Sequence, residues 1–276
     1  MKVLAVIVTY YPDLELLKRN IEAMVGHVDH ILLWENTPSP DNIRYRLPDM
    51  DKLEYYGVGE NVGISRALNL ARGRLPREGY DAILTMDQDS VWENLGLFME
   101  KVSSPEAPFG LYGPAVYTPA LEADFTPSDT LITSGMLVPK EVFERIGGYE
   151  EMFFVDGIDL DFCYRAAKAG IHSWIVGGTS LIQRFGRKRK VCCLGFRPEV
   201  YDYSPSRLRE ICFSEIVLAK KYPASHKKKG AILRHYLLKR IPLILLFERR
   251  KWSKSKAIIK GLIQGFRGDK LLEISK

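Results

Sequence analysis

Four short apolar runs in the first 90 residues constrain the fold more than any other feature of the chain. They cover residues 3–9, 31–34, 53–58 and 82–86, and a segment with apolar residues at helical spacing, 14–24, separates the first two. A strand that is apolar throughout is buried on both faces, which is typical of a parallel sheet covered by helices. The sequence therefore predicts an α/β fold with a mostly parallel, twisted sheet flanked by helices.

The predicted sheet also indicates where a ligand would bind. In open α/β sheets, ligands bind beyond the carboxyl ends of the strands. The loops that follow Thr9, Trp34, Val58 and Met86 are therefore the candidate site.

The charge of the chain is divided unequally along its length. Residues 180–276 hold 25 Lys and Arg and 7 Asp and Glu, a net charge of +18, whereas residues 1–179 carry a net charge of −12. Such asymmetry suggests an acidic part that can hold a metal and a basic part that faces an anionic partner. We expect a catalytic domain at residues 1–203 and a basic helical extension at residues 204–276.

Cysteine and histidine usage argues against two common kinds of site. The four cysteines form no C-x-x-C pair and the five histidines are scattered, so neither a disulfide framework nor a zinc site is predicted. We expect a reducing, cytoplasmic environment. The apolar N-terminus breaks off at Tyr10-Tyr11-Pro12-Asp13 without a small-residue cleavage site, which favours a first strand over a signal peptide.

The loop after the first strand lacks the glycines of the common nucleotide-binding motifs. Neither G-x-G-x-x-G nor a P-loop is present, and the Gly-rich loop of nucleotidyltransferases is absent too. A ring such as that of Tyr11 could stack on a base while Pro12-Asp13 opens the helix. A plain strand-to-helix turn explains the same residues.

The second and third loops carry polar residues that suit a nucleotide. The carboxylate of Glu35, after the second strand, can accept the imide N–H of a pyrimidine, although an ordinary turn is equally compatible. In the third loop Asn61 is placed as a helix N-cap. A helix N-terminus followed by Gly63 and Arg66 is also a natural place for a diphosphate.

The fourth loop carries the most specific signal, Asp87-Gln88-Asp89. Two carboxylates at i and i+2, where an apolar strand ends, can lean toward one side of the sheet edge. Their repulsion is relieved by a cation, and oxygen ligands favour Mg²⁺ or Mn²⁺. The alternatives are a solvated turn, an N-cap, or the Asp nucleophile of a phosphatase, although that Asp normally follows the first strand.

A second acidic group precedes an apolar helix. Asp156, Asp159 and Asp161 lie within six residues, followed by Arg165. Asp159 as an N-cap and an Asp161–Arg165 ion pair would be structural roles. A catalytic role needs one carboxylate that is free to take a proton from an acceptor hydroxyl.

Together and in this order, the motifs resemble inverting family-2 glycosyltransferases of the GT-A fold, over residues 1 to about 183. The matching pieces are V-I-V-T-Y-Y-P-D, E-N, E-N-V-G-I-S-R-A-L-N, D-Q-D-S, the acceptor-side segment that begins S-G-M-L-V-P, and I-D-L-D-F-C-Y-R. The segments D-Q-D-S and F-V-D-G-I-D-L-D resemble rhamnosyltransferase-like members most.

The resemblance implies a role for each matching residue. The pyrimidine base would be held by Thr9, Tyr11 and Glu35, and the nucleotide side lined by Asn61 and Arg66. Asp87 would meet the ribose or donor sugar and share the Mg²⁺ or Mn²⁺ ion with Asp89.

On the acceptor side, the resemblance implies that Asp159 is the general base. It would deprotonate an acceptor hydroxyl that attacks the anomeric carbon opposite the leaving nucleotide, so that the centre inverts. Further acceptor-side residues would be Ser134, Gly135, Asp156 and Asp161. Two positions depart from the pattern: Ile158 stands where many members have Glu, and Gln183 stands where a His often binds the metal or diphosphate. Because Gln is a poorer metal ligand, the alternatives are a weaker metal affinity or a substituted role of Arg184.

The basic C-terminal segment mixes apolar stretches with dense cations. Arg234, Lys239, Arg240 and Pro242 interrupt a run that would otherwise approach the roughly 20 apolar residues of a spanning helix. An in-plane amphipathic helix on an anionic membrane fits better, and it would place the site beside a lipid-linked acceptor on the inner face of the cytoplasmic membrane. A solvated helical cap or a dimer contact is the alternative; no nucleic-acid-binding motif is present.

Two functions are therefore expected from the sequence. The first is transfer of a sugar, such as rhamnose, from a UDP- or dTDP-linked donor to a glycan or lipid-linked acceptor in cell-surface polysaccharide synthesis. The second is a non-catalytic protein on a degenerate transferase scaffold that binds a membrane surface or nucleic acid.

Overall fold

A computed structural model describes residues 1–38, 43, 47, 50–116, 121–183, 188–190, 199–201 and 203–268, with the backbone alone described at 188–190 and 199–201. The strands are β1 (Val3–Thr9), β2 (His30–Glu35), β3 (Leu53–Gly57), β4 (Ala82–Asp87), β5 (Ser90–Trp92), β6 (Gly110–Ala115), β7 (Phe125–Ser128), β8 (Met136–Pro139), β9 (His172–Gln183), β10 (Lys188–Lys190) and β11 (Glu199–Tyr201). The helices are α1 (Leu14–Met24), α2 (Ile64–Arg72), α3 (Leu75–Glu78), α4 (Leu95–Val102), α5 (Lys140–Ile146), α6 (Ile158–Lys168), α7 (Pro205–Lys221), α8 (Lys229–His235), α9 (Ile241–Phe247) and α10 (Lys251–Arg267).

The chain divides into two compact units. The first comprises Met1–Glu151 and Ile158–Arg184, and the second comprises Met152–Gly157 and Phe185–Lys276. The sequence prediction places residues 185–203 with the first domain, and that boundary stays a prediction.

The first unit is built on a nine-stranded sheet of order β3-β2-β1-β4-β8-β6-β9-β5, with β7 also paired to β9. β3, β2, β1 and β4 are mutually parallel, as the apolar runs predict. The side chains of β1, β2 and β4 are mostly buried on both faces, whereas those of the edge strand β3 are half-buried or exposed. β1 and β4 supply the centre of the core. The α/β prediction is therefore confirmed.

The second half of this sheet is mixed, which corrects the expectation of a mostly parallel sheet. β8 is antiparallel to β4 and β6, while β5 and β7 are antiparallel to β9; only β6 and β9 are parallel. Parallel pairing needs a crossover, usually a helix. Between β6 and β8 the described residues contain no helix, so these strands return in the opposite direction.

Two further differences have local causes. The sequence pattern predicts a strand over residues 131–138, but β8 begins only at Met136 because Gly135 has a left-handed φ of 80°. Its amide donates to the Thr85 carbonyl, so the chain turns toward β4 just before pairing with it. The segments β5 and α4 were not predicted, since neither shows a long periodic pattern.

The second unit contains α7 to α10 and has a core of its own. The pattern of residues 227–247 predicts a helical stretch, and the structure has α8, the π-helical segment Tyr236–Arg240 and α9 there. Within the described residues, no helix combines the length and the apolar character that crossing a bilayer requires. The core is formed by Leu208, Cys212, Ile216, Ala219, Ile232, Tyr236, Ile244, Ile258 and Leu262.

The packing of α10 on α7 depends on two glycines. A Cβ atom added at Gly261 would overlap the Arg209 carbonyl, and one at Gly265 would lie 2.8 Å from Cβ of Ile216. Only residues without a side chain allow the two backbones to approach so closely.

We predict that Gly261→Ala destabilises the helical unit by about 1–3 kcal/mol, the usual cost of overpacking a well-filled contact. Gly230→Ala is the matched control, since no heavy atom lies within 4 Å of a Cβ at that helical position. Thermal unfolding should show a lower midpoint for the first variant and an unchanged or slightly higher one for the second. Equal midpoints for both variants would contradict the proposed close packing.

Candidate active site

Parallel pairing brings the predicted residues of the first, second and fourth loops to one edge of the sheet. In the strand register Thr9 lies opposite Glu35, and Val8 lies opposite Asp87. Thr9 is fully buried, and its Oγ1 donates to the Trp34 carbonyl at 3.2 Å. The side chain of Thr9 therefore ties β1 to β2 immediately below the two loops.

The Tyr10-Tyr11 loop is strained and exposed. Tyr11 has a φ of 45°, a left-handed conformation that is uncommon for a residue with a bulky side chain. Its amide donates to Thr37 Oγ1 at 2.9 Å, and its ring, 56% exposed, lies edge-on to that of Tyr10. Strain of this kind persists only where neighbours hold it, and it occurs preferentially at functional sites.

Gln88, between the two carboxylates of the fourth loop, forms two hydrogen bonds to the first loop. Its Oε1 accepts from the Tyr10 amide at 2.7 Å, and its Nε2 donates to the Tyr10 carbonyl at 3.1 Å. A single amide group thus binds both polar groups of one backbone residue. This contact makes the first and fourth loops one connected structure.

Asp87 is held by three side chains from other elements. Asn20 Nδ2 of α1 donates to the Asp87 carbonyl at 2.9 Å, and the buried Ser134 Oγ accepts from the Asp87 amide at 3.2 Å. Gln183 Nε2 donates to Asp87 Oδ2 at 3.0 Å. Ser134, with Gly135 next to it, therefore supports the acidic motif from below, and the predicted acceptor contact of both residues stays a prediction.

Gln183 reaches this site because β9 pairs with β5. Their register places Gln183 opposite Ser90, next to the end of the Asp87-Gln88-Asp89 motif. Its Oε1 is buried and has no hydrogen-bond partner among the described residues. Those residues contain no group of three or more His, Cys, Asp or Glu arranged to hold a metal ion.

The second and third loops are joined by Asn36 rather than by Glu35. Asn36 is buried; its Oδ1 accepts from Trp34 Nε1 and the Val62 amide, and its Nδ2 donates to the Gly63 carbonyl. Glu35 Oε1 accepts from the Ile43 amide at 3.0 Å. That bond occupies one carboxylate oxygen of the predicted base-binding residue.

Asn61 is not the N-cap of α2, which corrects one of its two expected roles. The helix begins at Ile64 and the cap residue is Gly63, with a φ of 80°. Asn61 Oδ1 instead accepts from the Gly63 amide at 3.0 Å and shapes the turn before the helix. Arg66 lies exposed in the first turn of α2.

The acidic residues of α6 have different environments. Asp159 is half-buried in the first turn, and its Oδ1 accepts from the Leu160 amide at 2.9 Å. Asp161 is fully buried and pairs with Arg165 Nε at 2.8 Å. The Arg165 guanidinium also donates to the carbonyls of Ile146 and Gly148. A contact of Asp161 with an acceptor would require this bridge to open.

Asp156 belongs to the second unit. Its Oδ1 accepts from Arg207 at 3.0 Å, and its carbonyl accepts from Ser214 Oγ. Burial raises the pKa of the Asp156 carboxyl, while Arg207 opposes the shift. Burial and the charge of Asp156 raise the pKa of Glu210 to about 7. Arg184, the residue expected to substitute for the missing His, lies outside the described residues.

Sequence reasoning did not anticipate Asn20, Thr37 or the grip of Gln88 on Tyr10. Asn20 is polar at a position on the apolar face of α1, which was an available signal. The other contacts join residues far apart in sequence, and no local pattern reveals them.

The chain is similar to one characterised sequence along its whole length. It is 26% identical over 290 residues to a protein named dTDP-rhamnosyl transferase RfbF from Shigella flexneri, covering 96% of this chain and 95% of that protein. No protein-family model matches the chain.

Solved structures show the same fold at low identity. GalNAc-T7 with UDP, GalNAc and Mn²⁺ matches 97% of this chain with a TM-score of 0.59 and 10% identity. The mannosyltransferase PcManGT from Pyrobaculum calidifontis, with GDP-Man and Mn²⁺, matches 97% with a TM-score of 0.55 and 12% identity. S. aureus TarS matches 96% with a TM-score of 0.51 and 12% identity.

The chain has the GT-A glycosyltransferase fold. The resemblance to rhamnosyltransferase-like proteins is confirmed. The chain spans 56% of GalNAc-T7, 88% of PcManGT and 81% of TarS.

We predict that Gln88→Met weakens binding of dTMP and UMP in metal-free buffer by up to about 30-fold, because two hydrogen bonds of about 1 kcal/mol each no longer hold the Tyr10-Tyr11 loop. Gln264→Met is the matched control, because it removes a glutamine that accepts from Arg209 in the second unit. Calorimetric titration gives both affinities. Unchanged affinity in Gln88→Met would show that this contact does not organise the loop that is predicted to bind the base.

Proposed function

We propose that this protein transfers a sugar, with rhamnose the first candidate, from a dTDP- or UDP-linked donor to a glycan or lipid-linked acceptor, with inversion at the anomeric carbon. The observation that carries the proposal is the convergence of Thr9, Glu35 and Asp87 at adjacent parallel strand ends. The name of the Shigella flexneri relative favours dTDP-rhamnose among the possible donors.

The base and ribose would lie across the loops after β1 and β2. The exposed Tyr11 ring offers a stacking surface, and Thr37 fixes its backbone. Glu35 would use its second carboxylate oxygen for the imide of a pyrimidine, in addition to the bond that Ile43 makes to Oε1. Asn61 and Arg66, at the start of α2, would line the nucleotide side.

The residues around Asp87 fit a divalent ion with hard oxygen ligands. Asp87 and Asp89 would supply carboxylate oxygens. Gln183, whose Nε2 donates to Asp87 Oδ2, would supply its buried amide oxygen, which has no hydrogen-bond partner among the described residues. All three residues carry oxygen ligands of the kind that Mg²⁺ and Mn²⁺ bind. When bound, such an ion neutralises the charge of the departing nucleoside diphosphate.

Asp159 is the proposed general base. Its carboxylate would accept the proton of an acceptor hydroxyl as that oxygen forms a bond to the anomeric carbon, while the bond from that carbon to the diphosphate oxygen breaks. Asp161 differs in that its full burial and its bridge to Arg165 give it a positioning role. Asp156, Ser134 and Gly135 remain proposed acceptor-side residues.

We also propose that the basic second unit brings the protein to the cytoplasmic face of an anionic membrane. The net charge of +18 over residues 180–276 supports this placement. A lipid-linked acceptor would then be presented at the same surface as the nucleotide sugar from the cytoplasm.

Nucleotide binding separates an enzyme from a non-catalytic protein on the same scaffold. We expect dTDP or UDP with Mn²⁺ to raise the thermal unfolding midpoint of the wild-type protein, because ligands that bind only the folded state stabilise it. Asp89→Ala should lose the metal-dependent part of this increase. Asp159→Ala should keep it and lose sugar transfer by at least 10²-fold, the lower range for a general base.

Two results would overturn these assignments. Absence of any nucleotide-dependent stabilisation in the wild type would favour the non-catalytic alternative. Loss of nucleotide stabilisation in Asp159→Ala would contradict its role as a base that acts only on the acceptor. A panel of sugar nucleotides in a hydrolysis assay identifies the donor.

Gln183 offers a separate test of the metal site. We predict that Gln183→Glu unfolds at a lower temperature than the wild type without metal, because a carboxylate would face Asp87. Mn²⁺ should then stabilise this variant more than it stabilises the wild type. Differential scanning fluorimetry with and without Mn²⁺ measures both effects. An equal Mn²⁺ response in the two proteins would remove Gln183 from the metal site.

A further inference from the structure

Helix α10 presents two different apolar faces. One face packs on α7 and contains the buried residues Ile258, Gly261, Leu262 and Gly265. The second face points away from the core of the helical unit. A helix in an ordinary globular protein needs only one apolar face, so the second requires an explanation.

The outward apolar face is a continuous stripe. Trp252, Ile259, Ile263 and Phe266 occupy positions i, i+7, i+11 and i+14, which coincide on one side of an α-helix. They are 74%, 46%, 45% and 43% exposed. Single exposed apolar residues are common on proteins, whereas a stripe of four marks a contact surface.

Cations border one side of this stripe. Lys256, Lys260 and Arg267 are exposed and line a shallow groove together with Ile259 and Ile263. Their long apolar stems can lie beside the stripe while the charged ends reach outward. A tryptophan at the end of such a stripe suits the boundary between lipid and water.

We propose that this face of α10, defined by Trp252, Ile259, Ile263 and Phe266 with Lys256, Lys260 and Arg267, docks in the plane of an anionic lipid bilayer. An apolar stripe with a basic border matches the two parts of such a surface, the acyl region and the phosphate headgroups. A second copy of the chain is disfavoured as the partner because the two cationic borders would repel each other. The inference rests on the proposed membrane placement and assigns it to one helix face.

The test compares binding of the full-length protein to vesicles of phosphatidylglycerol and phosphatidylcholine. The double variant Ile259→Glu/Ile263→Glu should bind mixed anionic vesicles at least about tenfold more weakly than the wild type. Leu70→Glu is the matched control, since Leu70 on α2 of the first unit is 47% exposed and should leave binding unchanged. Lys256→Glu/Lys260→Glu should lose the preference for phosphatidylglycerol over phosphatidylcholine.

A second measurement covers the possibility that a glutamate variant misfolds. Anionic vesicles should shift tryptophan emission of the wild type to shorter wavelength, and Trp252→Phe, a mild change, should abolish that shift. Undiminished vesicle binding by Ile259→Glu/Ile263→Glu, or an emission shift retained in Trp252→Phe, would overturn the proposal.

The same samples distinguish this inference from the proposed catalytic function. Nucleotide-dependent stabilisation of Ile259→Glu/Ile263→Glu should equal that of the wild type, because no residue of the stripe belongs to the nucleotide site. If the wild type is stabilised by nucleotide but does not bind vesicles, only the proposed membrane face is rejected. If the wild type binds vesicles but is not stabilised by nucleotide, the proposed catalytic function is rejected instead.

Discussion

The parallel pairing of β1 with β2 and β4 is the constraint on which the candidate site depends. Parallel strands in register finish at the same edge, so residues from positions 9, 35 and 87 become neighbours without any contact between their side chains. The strands can pair in this way because they are apolar on both faces and the helices cover them. Burial of β1 and β4 therefore fixes the geometry of the loops that follow.

Around that edge, amide side chains form many of the hydrogen bonds that connect the loops to other elements. Asn20, Asn36, Gln88 and Gln183 each link a loop to another element through donors and acceptors that neutral amides supply together. A charged residue could not satisfy both the N–H and the carbonyl of Tyr10 as Gln88 does. Among these contacts, Asp87 is held by the neutral side chains of Asn20 and Gln183.

The second unit uses a different means of close packing. Small residues let α10 approach α7, so the inner face of α10 is used entirely within the unit. Buried charge contributes as well, because Glu248 is fully buried and pairs with Arg240 and Lys254. A buried carboxylate with two cationic partners is costly to disturb, and it joins the residues on both sides of α9 to the start of α10.

Much of the fold could be predicted from the sequence because the patterns that specify these strands and helices are local. Apolar runs of strand length predicted β1 to β4, and helical spacing predicted α1, α2, α6 and the C-terminal helices. The antiparallel strands β5, β7 and β8 were predicted poorly. They are short, and their places in the sheet are set by pairing with strands far away in sequence rather than by a periodic pattern. The N-cap of α2 was assigned two residues early because Asn61 and Gly63 both suit a turn.

The sequence by itself determined the α/β class, the acidic and basic halves, and the identity of the carboxylates, because these depend on residue type and spacing. Only the tertiary structure decided which of those carboxylates serve packing: Asp161 is paired inside the protein, while Asp87 stands at a strand end beside Gln183. It also decided which apolar face of α10 is left outward. The physical reason is the same in each case, since burial and partnership are set by contacts between residues far apart in the chain.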